Sequence, residues 1–248
     1  SPTRLSLIRH AIDDYCAQTY PNRELVLVVD GRADPVVLEQ VRALLAQRQL
    51  SHRLEMAPSD LSLGGLRNLS RQVARGELHC VWDDDDRYHP QRLERQVTAL
   101  LASGKEGLCL AQVMQVFPAS AELYVTNWTA TEAGGFPGSL LLRRESPVRY
   151  PETGDESRLG EDTNLLRQLR GRDGVTHLAG PPHLYVYHSH GANSWDQGHH
   201  AMLASTLGVS AGLLKRREVE IRENLDWLNL TGVTVRGPAG PAFVLGTP

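Results

Sequence analysis

The sequence predicts an α/β fold, a mostly parallel sheet flanked by helices and followed by a mixed strand-and-helix region. Three observations predict it. Short, continuous apolar runs rich in β-branched residues, such as Leu25 to Val29 (LVLVV), read as strands buried on both faces. Segments with apolar residues at helical spacing alternate with these runs, as parallel strands joined by crossover helices require. No linker divides the 248 residues into independent domains, and a chain of this length buries a sizeable core.

The elements run in order along the chain. Leu5 to Gln18 carries helical spacing, and Pro21-Asn22 makes a turn. After the LVLVV strand, Asp34 caps and Pro35 opens a helix that runs to about Gln47. Gly65 to Arg75 is a second helix, ended by Gly76. Leu78 to Trp82 (LHCVW) is another short buried strand, and His89-Pro90 opens a helix to about Ser103, with Gly104 after it. Beyond residue 105, Leu108 to Phe117, Leu123 to Trp128 and Ser139 to Arg143 read as strands with no long helix between them. A helix at about Ser157 to Leu169, a strand at Leu184 to His188 and a largely helical stretch from Gly198 to Leu230 complete the pattern. The tail from Thr231 to Pro248 holds four Gly and three Pro and reads as loop or short hairpin. Residues 1–104 thus look like a nucleotide-binding α/β half. Residues 105–200 form a mixed half of the same domain that could hold an acceptor, and residues 201–248 a helical segment and tail.

Composition narrows the function. The chain is 41% hydrophobic and 22% charged with a formal net charge of −3, which excludes wholesale disorder and a basic nucleic-acid-binding face. No apolar run reaches the roughly 18 residues of a membrane span, and SPTRLSLIRH is too polar for a signal peptide. Cys16, Cys80 and Cys109 are odd in number, widely spaced and set among apolar neighbours, so buried free thiols in a reducing, cytoplasmic compartment are expected. No CxxC suggests structural zinc, and no GxxxxGK[ST] suggests a P-loop hydrolase. The chain opens without Met, as a processed or truncated piece of something longer would, and a tether to a larger protein is a further expectation.

The strongest chemical signal is VWDDDDRYHP, Val81 to Pro90. Asp83, Asp84, Asp85 and Asp86 come directly after a predicted buried strand, and ligands of open α/β sheets bind beyond the carboxyl ends of strands. Two carboxylates about 4 Å apart repel by roughly 4 kcal/mol at an effective dielectric near 20. Four in a row therefore face either water, as a solvated acidic turn, or a cation. The apolar strand before them and Tyr88 and Pro90 after them favour the cation. Such oxygen ligands suit Mg²⁺ or Mn²⁺, which in turn suit a diphosphate. In an extended segment Asp83 and Asp85 share one side and Asp84 takes the other, leaving Asp86 to cap or orient the next segment of chain.

Several segments in order resemble the family 2 glycosyltransferases of the GT-A fold. They are AIDDYCAQTYPNRELVLVVDG, GGLRNLSRQVARGELHCVWDDDDRYHPQRLERQ and the GED of Gly160 to Asp162. The resemblance covers about residues 1–200. It implies a Rossmann-like GT-A sheet whose first strand is missing or truncated here, Pro2 and Thr3 being the remnant of its end. It further implies a nucleotide-sugar donor, with a uridine diphosphate sugar as the first expectation, and a carbohydrate or glycan acceptor. By the same resemblance Asp83 contacts the ribose or base, Asp84 and Thr3 lie on the donor side, Asp30 sits near the base, and Arg67 reaches the nucleotide from GGLRN. Asp85 holds the metal. Asp162 is the general base of an inverting displacement, with Glu161 beside it on the acceptor side. The segment Tyr185 to His200 holds four of the ten His residues. Its His190-Gly191-Ala192-Asn193 matches an HGxN-like loop of the family, which makes His190 a candidate metal ligand. Trp128, Phe136 and Trp195 are candidate stacking surfaces for the acceptor, and Gly134 to Arg144 resembles the loop and strand below the donor sugar. The setting implied is polysaccharide or glycoprotein assembly.

Plainer alternatives stay open for each position. Arg67 can be a surface arginine, and Glu161 and Asp162 can serve the dipole of a helix start. The histidines can be loop residues bonded to backbone, with His199 and His200 structural, and Trp128 can belong to the core. At the level of the whole chain the alternatives are a nucleotidyltransferase on the same fold, whose Gly-rich basic phosphate loop the sequence does not show, and a non-catalytic carbohydrate- or protein-binding module.

Overall fold

Local signals fix several elements at their expected places. The computed structural model describes residues 2–191 and 193–246, the side chains of Pro2 and Thr3 excepted. The chain runs α1 (Pro2–Cys16), β1 (Leu25–Val29), α2 (Pro35–Gln47), β2 (His52–Met56), α3 (Leu63–Val73), β3 (Leu78–Cys80), β4 (Arg87–Tyr88) and α4 (Arg92–Ser103). It continues with β5 (Gly107–Leu110), β6 (Gln112–Phe117), β7 (Glu122–Asn127), β8 (Phe136–Arg143), α5 (Glu161–Gly171), β9 (Val175–Leu178) and β10 (Tyr185–His188). It ends with α6 (Gln197–Leu207), α7 (Ala211–Arg216), α8 (Glu218–Leu225), β11 (Val233–Gly237) and β12 (Gly240–Leu245). Asp34 caps α2 as expected: its side chain accepts from the Val36 N–H, and Pro35 opens the first turn. Gly104 ends α4 in the left-handed conformation.

The α/β class holds, and the sheets are mixed. A parallel pair joins β1 to β2, a six-stranded sheet has the order β12-β11-β7-β6-β10-β4, and a four-stranded sheet has the order β3-β8-β5-β9. Parallel pairing joins β5 to β9, β6 to β10 and β7 to β11. Antiparallel pairing joins β3 and β5 to β8, β6 to β7, β4 to β10 and β11 to β12. Because β3 pairs with β8, the first and second halves of the chain share one sheet. Among the described residues no helix is long and apolar enough to cross a membrane.

Several expectations are corrected. Pro2 and Thr3 lie in α1, so they continue a helix instead of ending a strand; the side chain of Thr3, expected on the donor side, lies outside the described residues. The LVLVV strand is half-buried throughout, not buried on both faces, because β2 is its one strand partner among the described residues. Cys16 is exposed near the end of α1, whereas Cys109 is buried and Cys80 partly so. Of the two expectations for the tail, loop or short hairpin, the hairpin holds, and it extends the six-stranded sheet: β11 lies parallel to β7, and the hairpin buries Val233, Val235, Phe243 and Leu245 against Leu214, Ile221 and Leu225.

Two features of this architecture position the site. The Asp83–Asp86 turn runs from β3, in the four-stranded sheet, to β4, in the six-stranded one, so both sheets moor it. Gly160, at φ +84°, adopts a left-handed conformation that disfavours L side chains, and it lets α5 start abruptly at Glu161 with Asp162 in the same first turn.

Candidate active site

The floor of the site is an aromatic layer around one buried cation. Arg92, fully buried in the first turn of α4, lies 4.6 Å from the Tyr88 ring, 4.8 Å from the Tyr185 ring and 5.1 Å from the Trp82 ring. Its Nη2 donates to the Val81 carbonyl just beyond the end of β3, and its Nε to Gln96. A guanidinium over aromatic faces recovers part of its lost hydration through the ring quadrupoles. The Tyr88 hydroxyl donates to the Asp83 carbonyl at 2.8 Å, so this floor sets the path of the acidic turn.

The four aspartates diverge from the alternation expected of an extended segment. The chain turns at Asp84 and Asp85, and the side chains go separate ways. Asp83 points to Arg67, 3.5 Å away. Asp84 and Asp85 converge on Arg4 of α1, which pairs with Asp84 and lies 3.0 Å from Asp85 Oδ2. Asp85 Oδ2 also lies 3.1 Å from His190 Nε2. Asp86 turns inward and is buried, accepting from the Tyr185 hydroxyl and the His188 N–H. The pairing of Asp83 with Asp85 on one side is therefore replaced by Asp84 with Asp85 around a common cation. The turn, not an extended strand, is the reason. Burial pushes the Asp83 carboxyl up from its ordinary range, with Arg67 opposing. The Asp84 carboxyl is likewise raised by burial against the pull of Arg4.

Arg67 joins the acidic turn to α5. Its Nε lies 3.2 Å from Glu161 Oε1, and its guanidinium carbon stands 5.6 Å from the centre of the Tyr150 ring. Burial alone would lower the guanidinium; Asp83, Tyr150, Asp162 and Glu161 outweigh it and hold the group well above its ordinary value. Asp162 acts electrostatically on Asp83, Tyr150 and Glu161, and its Oδ1 accepts from the Thr163 N–H at 2.6 Å. Tyr150 is presented by residues 146–152, which α3 holds like a strap. Asn68 bonds both the N–H and the carbonyl of Tyr150, the Ser62 hydroxyl donates to the Glu152 carbonyl, and Arg71 donates to the carbonyls of Ser146 and Val148. Gly64 permits the approach: a Cβ there would meet the Pro151 oxygen at 1.9 Å. One of the two glycines before Arg67 thus makes room for this strap.

The structure thus gathers Asp83, Asp84, Asp85, His190, Arg67, Glu161 and Asp162. Asp30, Trp128 and Trp195 make their contacts outside this network. Asp30 closes β1 with its carboxylate bonded to Arg32, whose hydrogen bond lowers the acid's pKa. Trp128 donates its indole N–H to Thr126 and packs edge-on against Phe136, a buried member of the core. Trp195 is 43% exposed and stacks on His199 with the ring centres 4.4 Å apart. His200 is buried, its Nε2 3.3 Å from the Tyr187 hydroxyl. Sequence reasoning missed Arg4, Asn68, Tyr150 and Tyr185, which meet the motifs only through tertiary contacts; the Asn of GGLRN was the one visible signal.

The donor set fits a divalent cation shared with a ligand. Asp85 offers a hard oxygen, His190 an imidazole, and Arg4 already seats a positive charge between the carboxylates. Among the described residues no three His, Cys, Asp or Glu side chains close into a metal cage. Mg²⁺-type ions are commonly bound by one or two carboxylates plus substrate phosphates instead of an all-protein cage. An incomplete seat is what that arrangement needs.

Known proteins share both sequence and fold with this chain. The sequence model of glycosyl transferase family 2 matches residues 3–145. An uncharacterized glycosyltransferase of Rickettsia felis is 33% identical over 94 residues, which are 38% of this chain and 15% of that protein. The amylovoran biosynthesis glycosyltransferase AmsB of Erwinia amylovora is 28% identical over 83 residues, 34% of this chain and 28% of that protein. The chain therefore matches less than a third of the length of either. Among solved structures, TarS 1-349 of S. aureus in complex with UDP-GlcNAc superposes with a TM-score of 0.58 at 16% identity, covering 92% of this chain and 64% of that one. The mannosyltransferase PcManGT of Pyrobaculum calidifontis, in complex with GDP-Man and Mn²⁺, superposes with a TM-score of 0.57 at 18% identity, covering 79% of this chain and 56% of that one. These likenesses show the fold to be that of GT-A glycosyltransferases.

Glu161 gives the cluster a pH signature. Burial pushes its carboxyl from 4.5 up to about 7, with Arg67 opposing and Asp162 reinforcing. A carboxyl that binds its proton more tightly when folded contributes stability that is full below the unfolded pKa and lost as pH rises through the folded one. At 1.36 kcal/mol per unit, the loss between pH 4.5 and 7 is on the order of 3 kcal/mol. Urea denaturation at pH 5 and pH 8 is expected to show wild type losing stability across this window and Glu161→Gln losing much less. Equal losses would contradict the assignment.

Proposed function

The chain belongs to glycosyl transferase family 2, and on that premise we propose that it is an inverting, metal-assisted glycosyltransferase moving a sugar from a nucleoside diphosphate, uridine diphosphate first, to a carbohydrate hydroxyl. One observation carries the reading. A cation seat (Asp85 and His190, 3.1 Å apart) and a candidate base (Asp162) are joined through Asp83, Arg67 and Glu161 in one partly buried cluster. A solvated acidic turn would have no reason to be wired to a second acidic pair at the start of a helix.

In this reading Asp85 and His190 would hold a Mn²⁺ or Mg²⁺ ion, which would offset the charge of the departing diphosphate. Asp83, oriented by Arg67 through its side chain and by Tyr88 through its carbonyl, meets the ribose or base. Asp84 lies on the donor side, and Asp30 near the base. Arg4 pairs with Asp84 and Asp85, the carboxylates that such a cation would face. A sugar hydroxyl is a weak nucleophile at neutral pH, so Asp162 accepts its proton as the oxygen bonds to the anomeric carbon. The bond from that carbon to the diphosphate breaks in the same displacement, which inverts the centre. Glu161, Trp128 and the exposed Trp195 flank the acceptor, Trp195 offering its ring face. TarS and PcManGT, solved with UDP-GlcNAc and GDP-Man, carry different nucleotides on this fold, so the nucleotide is a point for direct test. A cytoplasmic enzyme of polysaccharide assembly fits the free cysteines and the AmsB relative.

Calorimetry with a panel of nucleoside diphosphates tests donor and metal together. UDP is expected to bind best and only with Mn²⁺, and Asp85→Ala to abolish that metal dependence. Metal-independent binding of equal strength in both proteins would rule the cation role out. Asp162→Asn is expected to keep UDP·Mn²⁺ affinity while transfer falls by roughly 10²–10⁴-fold. Full turnover in that variant would move the base elsewhere.

A further inference from the structure

Asp86 is the one aspartate of the turn with no cation beside it among the described residues. It is 1% exposed. Burying a carboxylate away from a counter-charge is costly unless hydrogen bonds compensate. Those bonds are specific. Asp86 Oδ2 accepts from the Tyr185 hydroxyl at 2.5 Å, and Oδ1 from the His188 N–H at 2.8 Å. Tyr185 and His188 are the first and last residues of β10, so one carboxylate grips both ends of that strand.

The strand leads directly into the histidine loop. The Asn193 side chain donates to the His188 carbonyl at 3.1 Å and accepts from the His190 N–H at 3.0 Å. His190 Nε2 returns to Asp85, the residue before Asp86. The contacts close a ring: Asp85, Asp86, His188, Asn193, His190 and back to Asp85. Tyr185 in turn rests on the buried Arg92, which gives the ring a fixed floor.

We propose that Asp86 is a positioning residue that locks the acidic turn to the His190 loop, so that Asp85 and His190 reach the same cation as one preassembled unit. The proposal rests on the reading of Asp85 and His190 as a shared seat. Its physical basis is hydrogen-bond acceptance at a fixed place and not negative charge, because both partners of Asp86 are neutral donors. Asparagine keeps one acceptor at the same reach and can serve the tyrosine oxygen with its amide, so it should preserve the joint; alanine cannot.

The test uses the full chain with Asp86→Ala, Asp86→Asn and Tyr185→Phe. Mn²⁺ affinity is measured in the presence of UDP, alongside amide hydrogen exchange over residues 186–191 without ligand. Groups that orient metal ligands typically contribute 10–100-fold in metal affinity. Asp86→Ala is expected to weaken Mn²⁺ binding by about tenfold or more and to speed exchange in that loop, with Asp86→Asn within about threefold of wild type on both. Pulsed EPR of the Mn²⁺·UDP complex should show ¹⁴N coupling from an imidazole in wild type and Asp86→Asn, lost in Asp86→Ala. If Asp86→Ala does not fold, Tyr185→Phe removes one of the two donors with the ring retained, and faster exchange at residues 186–191 is expected there. Unchanged exchange and Mn²⁺ affinity in a folded Asp86→Ala, or in Tyr185→Phe where the alanine variant does not fold, would overturn the proposal. So would an Asp86→Asn variant as impaired as alanine. Absence of ¹⁴N coupling in wild type would instead remove His190 from the seat, while the ligand-free exchange still decides whether Asp86 joins turn to loop.

Discussion

Four consecutive carboxylates held in a partly buried turn are the constraint around which this molecule is arranged. At a few ångströms' separation each pair repels by several kcal/mol unless compensated. The structure compensates them individually. Arg67 serves Asp83, Arg4 serves Asp84 and Asp85, and neutral donors serve Asp86. Those partners come from α3, α1 and β10, so the charge of one turn draws distant segments of the chain to a single point. The turn can be that junction because its two ends belong to different sheets.

The compensation is uneven, and the unevenness carries functional meaning. Asp86 is sealed by short bonds to neutral groups and is spent on structure. Asp84 and Asp85 are paired to an arginine whose side chain is 42% exposed. Arg67 sits deeper, between Asp83 and Glu161, and links the acidic turn to the first turn of α5. A buried ion pair of this kind is weak evidence for stability and better evidence for fixed geometry.

What the sequence made legible was local. The α2 start was readable because Asp34 and Pro35 act within one turn of the helix. The LVLVV strand was readable because its residues favour extended backbone, although its burial was overestimated for want of a second neighbouring strand. Strand β2 (HRLEM) was not readable: its exposed, charged residues erase the apolar alternation that marks a strand. In the site, the residue types around GGLRN, DDDD, GED and HGxN were visible as motifs. Their partners were not, because Arg4 meets Asp85 across 81 residues and Asp86 meets His188 across 102. The side on which each aspartate falls was also misjudged, since alternation describes an extended strand and this segment turns.

A crystal of the protein grown with a UDP-sugar and Mn²⁺, with diffraction recorded at the manganese absorption edge, probes the cation seat most directly. One anomalous peak is expected within coordination distance of Asp85 and His190, with diphosphate oxygens completing its shell and Arg4 displaced from the carboxylates. Manganese and diphosphate bound away from the acidic turn, with Arg4 still seated on Asp84 and Asp85, would show that the aspartates serve no metal ion.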